Sequence, residues 1–178
     1  MEQEKKNKKK KEKPKKSLKR EIFEWVMVFV VAAALAFVVL GILTVVALMD
    51  MDTLEIYDRF PVLLFVCGIA AHILIPSLGI KSRLIGCVIV SVPMLLLALI
   101  VPGGFGGGDI KLMFGAGFFL GAKLTVVAAF IGILLGGGFG ALLLAQKKAN
   151  RKSQFAFGPF LCIGIAIAMF FGETIADW

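Results

Sequence analysis

The chain has 178 residues, is 59% hydrophobic, and carries a formal charge of +8 with three cysteines and one histidine. A mean hydropathy of +0.92 excludes an ordinary soluble domain and points to a polytopic membrane protein. Eleven of the basic and three of the acidic residues fall in Met1–Arg20. The remainder holds nine of each, is neutral, and is not a basic nucleic-acid-binding module.

Residues 1–20 are Lys-rich and broken by Pro14, with nothing to bury, so they are expected to form a disordered tail near anionic headgroups. The tail has no interleaved aromatics to stack on bases, so no nucleic-acid partner is expected. Residues 21–178 are expected to form one membrane-embedded, all-α domain of about six transmembrane helices. The first runs from Ile22 to Met49, with Trp25 as an interfacial anchor. An acidic surface stretch follows, Asp50 to Arg59. The second span is Phe60 to Leu78, with His72 read as a packed residue. Lys81-Ser82-Arg83 is read as a basic turn before the third span, Leu84 to Val101, where Pro93 predicts a kink.

Next comes the glycine-rich turn Pro102 to Gly108, closed by Asp109. Ile110 to Ala122 is apolar but reaches only roughly 20 Å at helical rise, so it must be tilted, sunk in the bundle, or set in thinned bilayer. The fifth span, Leu124 to Ala145, repeats Gly132, Gly136 and Gly140 on one face, a close-packing surface read chiefly as intramolecular. A basic loop carries Lys147, Lys148, Arg151 and Lys152, and the last span runs from Phe155 to Phe171. Cys67, Cys87 and Cys162 each lie in an apolar run without paired spacing. They are read as buried thiols, with no metal site and no cofactor expected.

With six spans, Asp50, Asp109 and the basic loop share one side. An ionisable residue at membrane depth is costly and so a functional candidate. Two close carboxyls cannot both ionise cheaply. One can draw a proton from water while the other donates to a carbonyl oxygen, which is peptide hydrolysis without a metal or a nucleophilic side chain. On local sequence alone Asp109 reads equally as a helix N-cap. Asp52, Glu55 and Asp58 read as residues of a wet interfacial loop.

Gly106-Gly107-Gly108-Asp109-Ile110-Lys111-Leu112 resembles the G-x-G-D-[IV]-K-L motif of the type IV prepilin peptidases, bacterial aspartic peptidases of the membrane. Asp50, five residues, then Ile56-Tyr57-Asp58 is similar to that family's D-x5-I-P-[DN], with Tyr57 in place of proline. Phe157-Gly158-Pro159-Phe160 is similar to its P-F-G-P-F element, with Ala156 in place of the leading proline. The resemblance implies Asp50 and Asp109 as the catalytic pair, Gly106, Gly108 and Lys111 as support of the catalytic loop, and Phe157, Gly158 and Pro159 as a structural motif. It implies pilin-like or pseudopilin-like precursors as substrates, cut between a short basic leader and an apolar helix, in the cytoplasmic membrane. Asp52, Glu55 and Asp58 suit the basic leader by charge. The cysteine-containing segment linked to N-methylation in full-length members has no counterpart here, so no methyl transfer is expected. Two other readings stay open: a presenilin-like intramembrane protease using Asp58, and an inactive scaffold of a pilus or secretion system. The oligomeric state is left open.

Family resemblance puts the aspartates on the cytoplasmic face. Six spans then put the Lys-rich tail on the other face, against the positive-inside tendency. Without the tail, six basic residues lie on the aspartate side and three, Lys81, Arg83 and Lys123, on the other.

Overall fold

A computed structural model describes residues 18–74, 79–100, 105–146 and 156–176. Among them lie seven helices: α1 Leu18–Thr53, α2 Arg59–Leu74, α3 Ile80–Ile89, α4 Ser91–Ile100, α5 Gly107–Leu120, α6 Ala122–Ala145 and α7 Gly158–Ala176. Four stretches are long and apolar enough to cross a membrane: Ile22–Thr53, Ile80–Ile100, Ala122–Leu143 and Gly158–Ala176. With the shorter α2 and α5 they form an all-helical, multi-pass membrane protein. Most of the expected tail and the basic loop at 147–152 fall outside the described residues. The first helix begins at Leu18, inside the stretch assigned to the tail.

The α1 helix is apolar all round, and its N-terminal half, Ile22 to Val30, is exposed as a lipid-facing surface would be. Among the described residues the first buried side chain of α1 is Val39. The third expected span is two helices divided at Val90, three residues before Pro93. Pro93 has no N–H to give Ile89, and the ladder resumes with Met94 N–H donating to Val90. A break in the helix stands where a kink was expected, three residues before the proline.

The short α5 is the centre of the bundle. Eight of its 14 residues are buried, among them Leu112, Met113 and Ala116. Of the three accommodations open to so short a helix, it is sunk among its neighbours. Gly117 makes this possible: its backbone meets Gly86 of α3 so closely that a Cβ on either would collide with the other's carbonyl. Gly115 lies as close to Pro61 of α2.

Lys81, Ser82 and Arg83 are not a turn but part of α3. Arg83 is 2% exposed. Its Nη1 donates to the carbonyls of Phe118 and Phe119, each at 3.0 Å, and to Gly68 at 3.4 Å. The guanidinium thus satisfies carbonyls that the end of α5 cannot pair itself, where the helix dipole favours a cation. Arg83 therefore leaves the tally of loop cations, and of the three expected opposite the aspartates two are left, Lys81 and Lys123.

The glycine stripe of α6 is used within the chain. Gly132 faces Leu161 and Phe160, and Gly136 faces the Phe157 ring, all on or beside α7. Lys123, at the start of α6, pairs with Glu173 near the end of α7 at 3.5 Å.

Candidate active site

Asp50 sits in the last turn of α1. Val39, Leu43, Val46 and Asp50 are all buried and recur at spacings of four, three and four, so they line one helix face. The carboxyl ends that stripe and is 5% exposed. Its Oδ2 accepts the N–H of Gly158 at 2.8 Å. Gly158 opens α7, where an N–H has no partner of its own helix, so the carboxylate also caps α7. Only glycine fits, because a Cβ there would lie 2.8 Å from Asp50 Oδ2. Pro159 follows within the first turn, where its missing N–H removes no helical bond.

Asp109 is the third residue of α5 and is 6% exposed. It is not the N-cap, a position that Gly106 fills. Its Oδ2 accepts the Gly106 N–H at 3.3 Å, the reach-back half of a capping box. Its Oδ1 is buried with no hydrogen-bond partner. One oxygen therefore serves the helix start and the other is spare. The acid lies ahead of the apolar part of α5 and outside the four candidate spans. Burial, and then the charge of Asp50, push it up from an ordinary 3.8 to about 7, against the pull of the Gly106 N–H.

The connection between α1 and α2 completes the site. Leu54 takes φ 55°, a left-handed conformation rare outside glycine and asparagine, with its N–H on the Asp50 carbonyl at 3.0 Å. That turn lays Ile56 over the start of α5. Gly108 makes room for it: a Cβ there would stand 2.7 Å from Ile56 Cβ. Lys111 Nζ meets Asp58 Oδ1 at 2.6 Å and holds the connection to α5 from outside, both side chains being exposed. Phe105, within the glycine-rich turn, packs edge-on against Phe157 at 5.4 Å and joins that turn to the α7 start.

The two aspartates come together. Asp50, Leu54, Glu55, Ile56, Gly106, Gly107, Gly108 and Asp109 line one cavity of about 210 Å³. A volume of that size is large enough for a water and a stretch of extended backbone. Glu55 reaches this cavity; Asp52 is exposed on the last turn of α1, and Asp58 is engaged by Lys111. Among the described residues no group of three or more His, Cys, Asp or Glu converges as a metal site. Sequence reasoning named Gly158 only within a structural motif, without its bond to Asp50, and missed Arg83. The Gly158 role had a signal in the Phe-Gly-Pro-Phe element but no visible reason. The Arg83 clamp was masked by its polar neighbours Lys81 and Ser82.

The model of the Type IV leader peptidase family matches residues 37–141, which contain both aspartates. The chain belongs to that family. A prepilin leader peptidase/N-methyltransferase of Bacillus subtilis (strain 168) is 29% identical over 143 residues, 80% of this chain and 58% of that protein. One from Legionella pneumophila is 37% identical over 73 residues, 41% of this chain and 25% of that protein. One from Aeromonas hydrophila is 25% identical over 142 residues, 77% of this chain and 49% of that protein. The chain therefore spans little more than half the length of the first of these relatives and less of the others. No solved structure matches.

Proposed function

We propose that this protein is an aspartic endopeptidase of the cytoplasmic membrane that cleaves the short basic leader from prepilin-like precursors. The observation that carries this reading is the convergence of two buried carboxyls, 59 positions apart in the chain (50 and 109), on one cavity. Family membership and the relatives' names support the substrate class.

Asp109 keeps its proton up to about pH 7, so the charge of the pair rests on Asp50. Asp50 is the general base that takes a proton from a water in the cavity. Protonated Asp109 donates to the carbonyl oxygen of the scissile peptide, and its unpartnered Oδ1 is the oxygen free to take part. The tetrahedral intermediate then collapses as the leaving amine takes up a proton from the pair. The Gly158 and Gly106 N–H groups fix one oxygen of each carboxyl, which sets their mutual geometry before substrate arrives. Glu55 at the cavity and the exposed Asp52 suit the cationic leader by charge. Asp58 serves the Lys111 pair and stands outside the catalytic cavity, which favours Asp50 over Asp58 as partner of Asp109. The reading covers peptide cleavage alone; the N-methyl transfer in the relatives' names is not assigned to this chain.

The test is cleavage of a co-expressed prepilin-like precursor, followed as a mass shift, by wild type, Asp50→Asn and Asp109→Asn. Cleavage by wild type alone supports the pair. Full activity in either variant sinks it.

A further inference from the structure

A second and larger hollow lies beside the catalytic cavity. It measures about 480 Å³ and is walled by α2, α3, α4 and α5, through residues such as Val62, Phe65, Val92, Leu95 and Phe114. The lining is apolar except for Asp58, Lys111 and Ser91. Val62, Val92 and Leu95 are about half exposed, so the hollow is a groove open along its length. From Cys87 to Leu95 its wall runs about 12 Å at helical rise, a little over two turns of a bound helix.

The groove begins where the catalytic cavity ends. Asp109 lines the cavity and Ile110 the groove; Ile56 borders the cavity and Asp58 the groove. The Lys111–Asp58 pair stands at the boundary between them. A chain lying across both would pass from a polar, acid-rimmed pocket into an apolar trough. That is the order of charge in a basic leader followed by an apolar segment.

We propose that this groove receives the apolar segment after the scissile bond, which makes Val62, Val92 and Leu95 specificity-determining residues. The proposal rests on the leader-peptidase reading above. The order of the two hollows favours a peptide over a lipid tail as the occupant: an acyl chain would fill the groove but has nothing to place in the acidic cavity that continues it, whereas a basic leader joined to an apolar segment matches both.

The test uses the full chain in membranes with a prepilin-like precursor. Leu95→Trp fills the groove. Its KM for the precursor is expected to rise about tenfold with kcat retained, since the lost contact is uniform binding away from the reacting atoms. Leu134→Trp, on the exposed face of α6, is expected to leave KM as in wild type. A peptide ending just after the cut should show the raised KM with wild type already, and Leu95→Trp should add no further penalty. A photo-crosslinking residue at position 95, in the Asp109→Asn background, should form an adduct with the precursor's apolar segment. Adducts with phospholipid alone, or with a second copy of this chain alone, overturn the proposal. Cleavage by wild type with an unchanged KM in Leu95→Trp overturns the groove and leaves the peptidase reading standing. No cleavage by wild type overturns both.

Discussion

The N–H of Gly158 donates to Asp50 Oδ2 at 2.8 Å and joins α7 to α1 at the Asp50 carboxyl. The same position tolerates no side chain, because a Cβ would press on the carboxyl it supports. Gly158→Ala is therefore expected to lower kcat at least about 100-fold by displacing Asp50, the scale of a misplaced catalytic group. Helical circular dichroism should be retained. Near-wild-type cleavage by this variant would show that Asp50 needs no such support.

The acid limb of the mechanism sets a pH dependence. Asp109 is pushed up to about 7, chiefly by burial and then by Asp50. A general acid must hold its proton, so cleavage is expected to fall as pH rises through about 7. In Asp50→Asn the neighbouring charge is gone, so the Asp109 carboxyl should titrate lower than in wild type. Carbon-13 detection of the Asp109 carboxyl measures both. An unmoved titration in Asp50→Asn would mean that the two carboxyls do not interact.

Stability responds to the same group. The folded state disfavours ionised Asp109, so between the ordinary 3.8 and about 7 it binds more protons than the unfolded chain. Stability then falls as pH rises across that window and carries its full penalty above it. Asp109→Asn removes this ionisation. Its melting temperature relative to wild type should climb from pH 4 to pH 7 and then level off. A gap that stays constant with pH would contradict the burial of this charge.

Arg83 and Lys111 make opposite predictions despite their like charge. Arg83 is buried and holds three carbonyls, so Arg83→Leu is expected to cost about 3–5 kcal/mol or prevent folding. Lys111 and Asp58 are both exposed, so breaking their pair should change global stability by under about 1 kcal/mol. Thermal unfolding in detergent compares the two.

The pairing of Asp50 with Asp109 and the shortness of α5 were legible in the sequence for different reasons. The pair was implied by the resemblance of its two surrounding motifs to those of the prepilin peptidases. The short apolar run after Asp109 was visible because helical rise limits its reach. Arg83 was not legible: three polar residues in a row look like a loop, and burial of the third depends on carbonyls of a helix 35 positions away. Nor was the inward stripe ending at Asp50, since a helix apolar on every side gives no periodicity to read. The contact of Gly86 with Gly117 depends on a pairing of helices that no local pattern encodes.

The bond from Gly158 to Asp50 has a consequence for biogenesis. Both aspartates precede Gly158 in the chain and are synthesised before it. Until α7 inserts, Asp50 lacks the Gly158 donor. On the proposed reading peptide cleavage therefore waits for α7, and a chain cut short before residue 158 is expected to be inactive although it carries both aspartates.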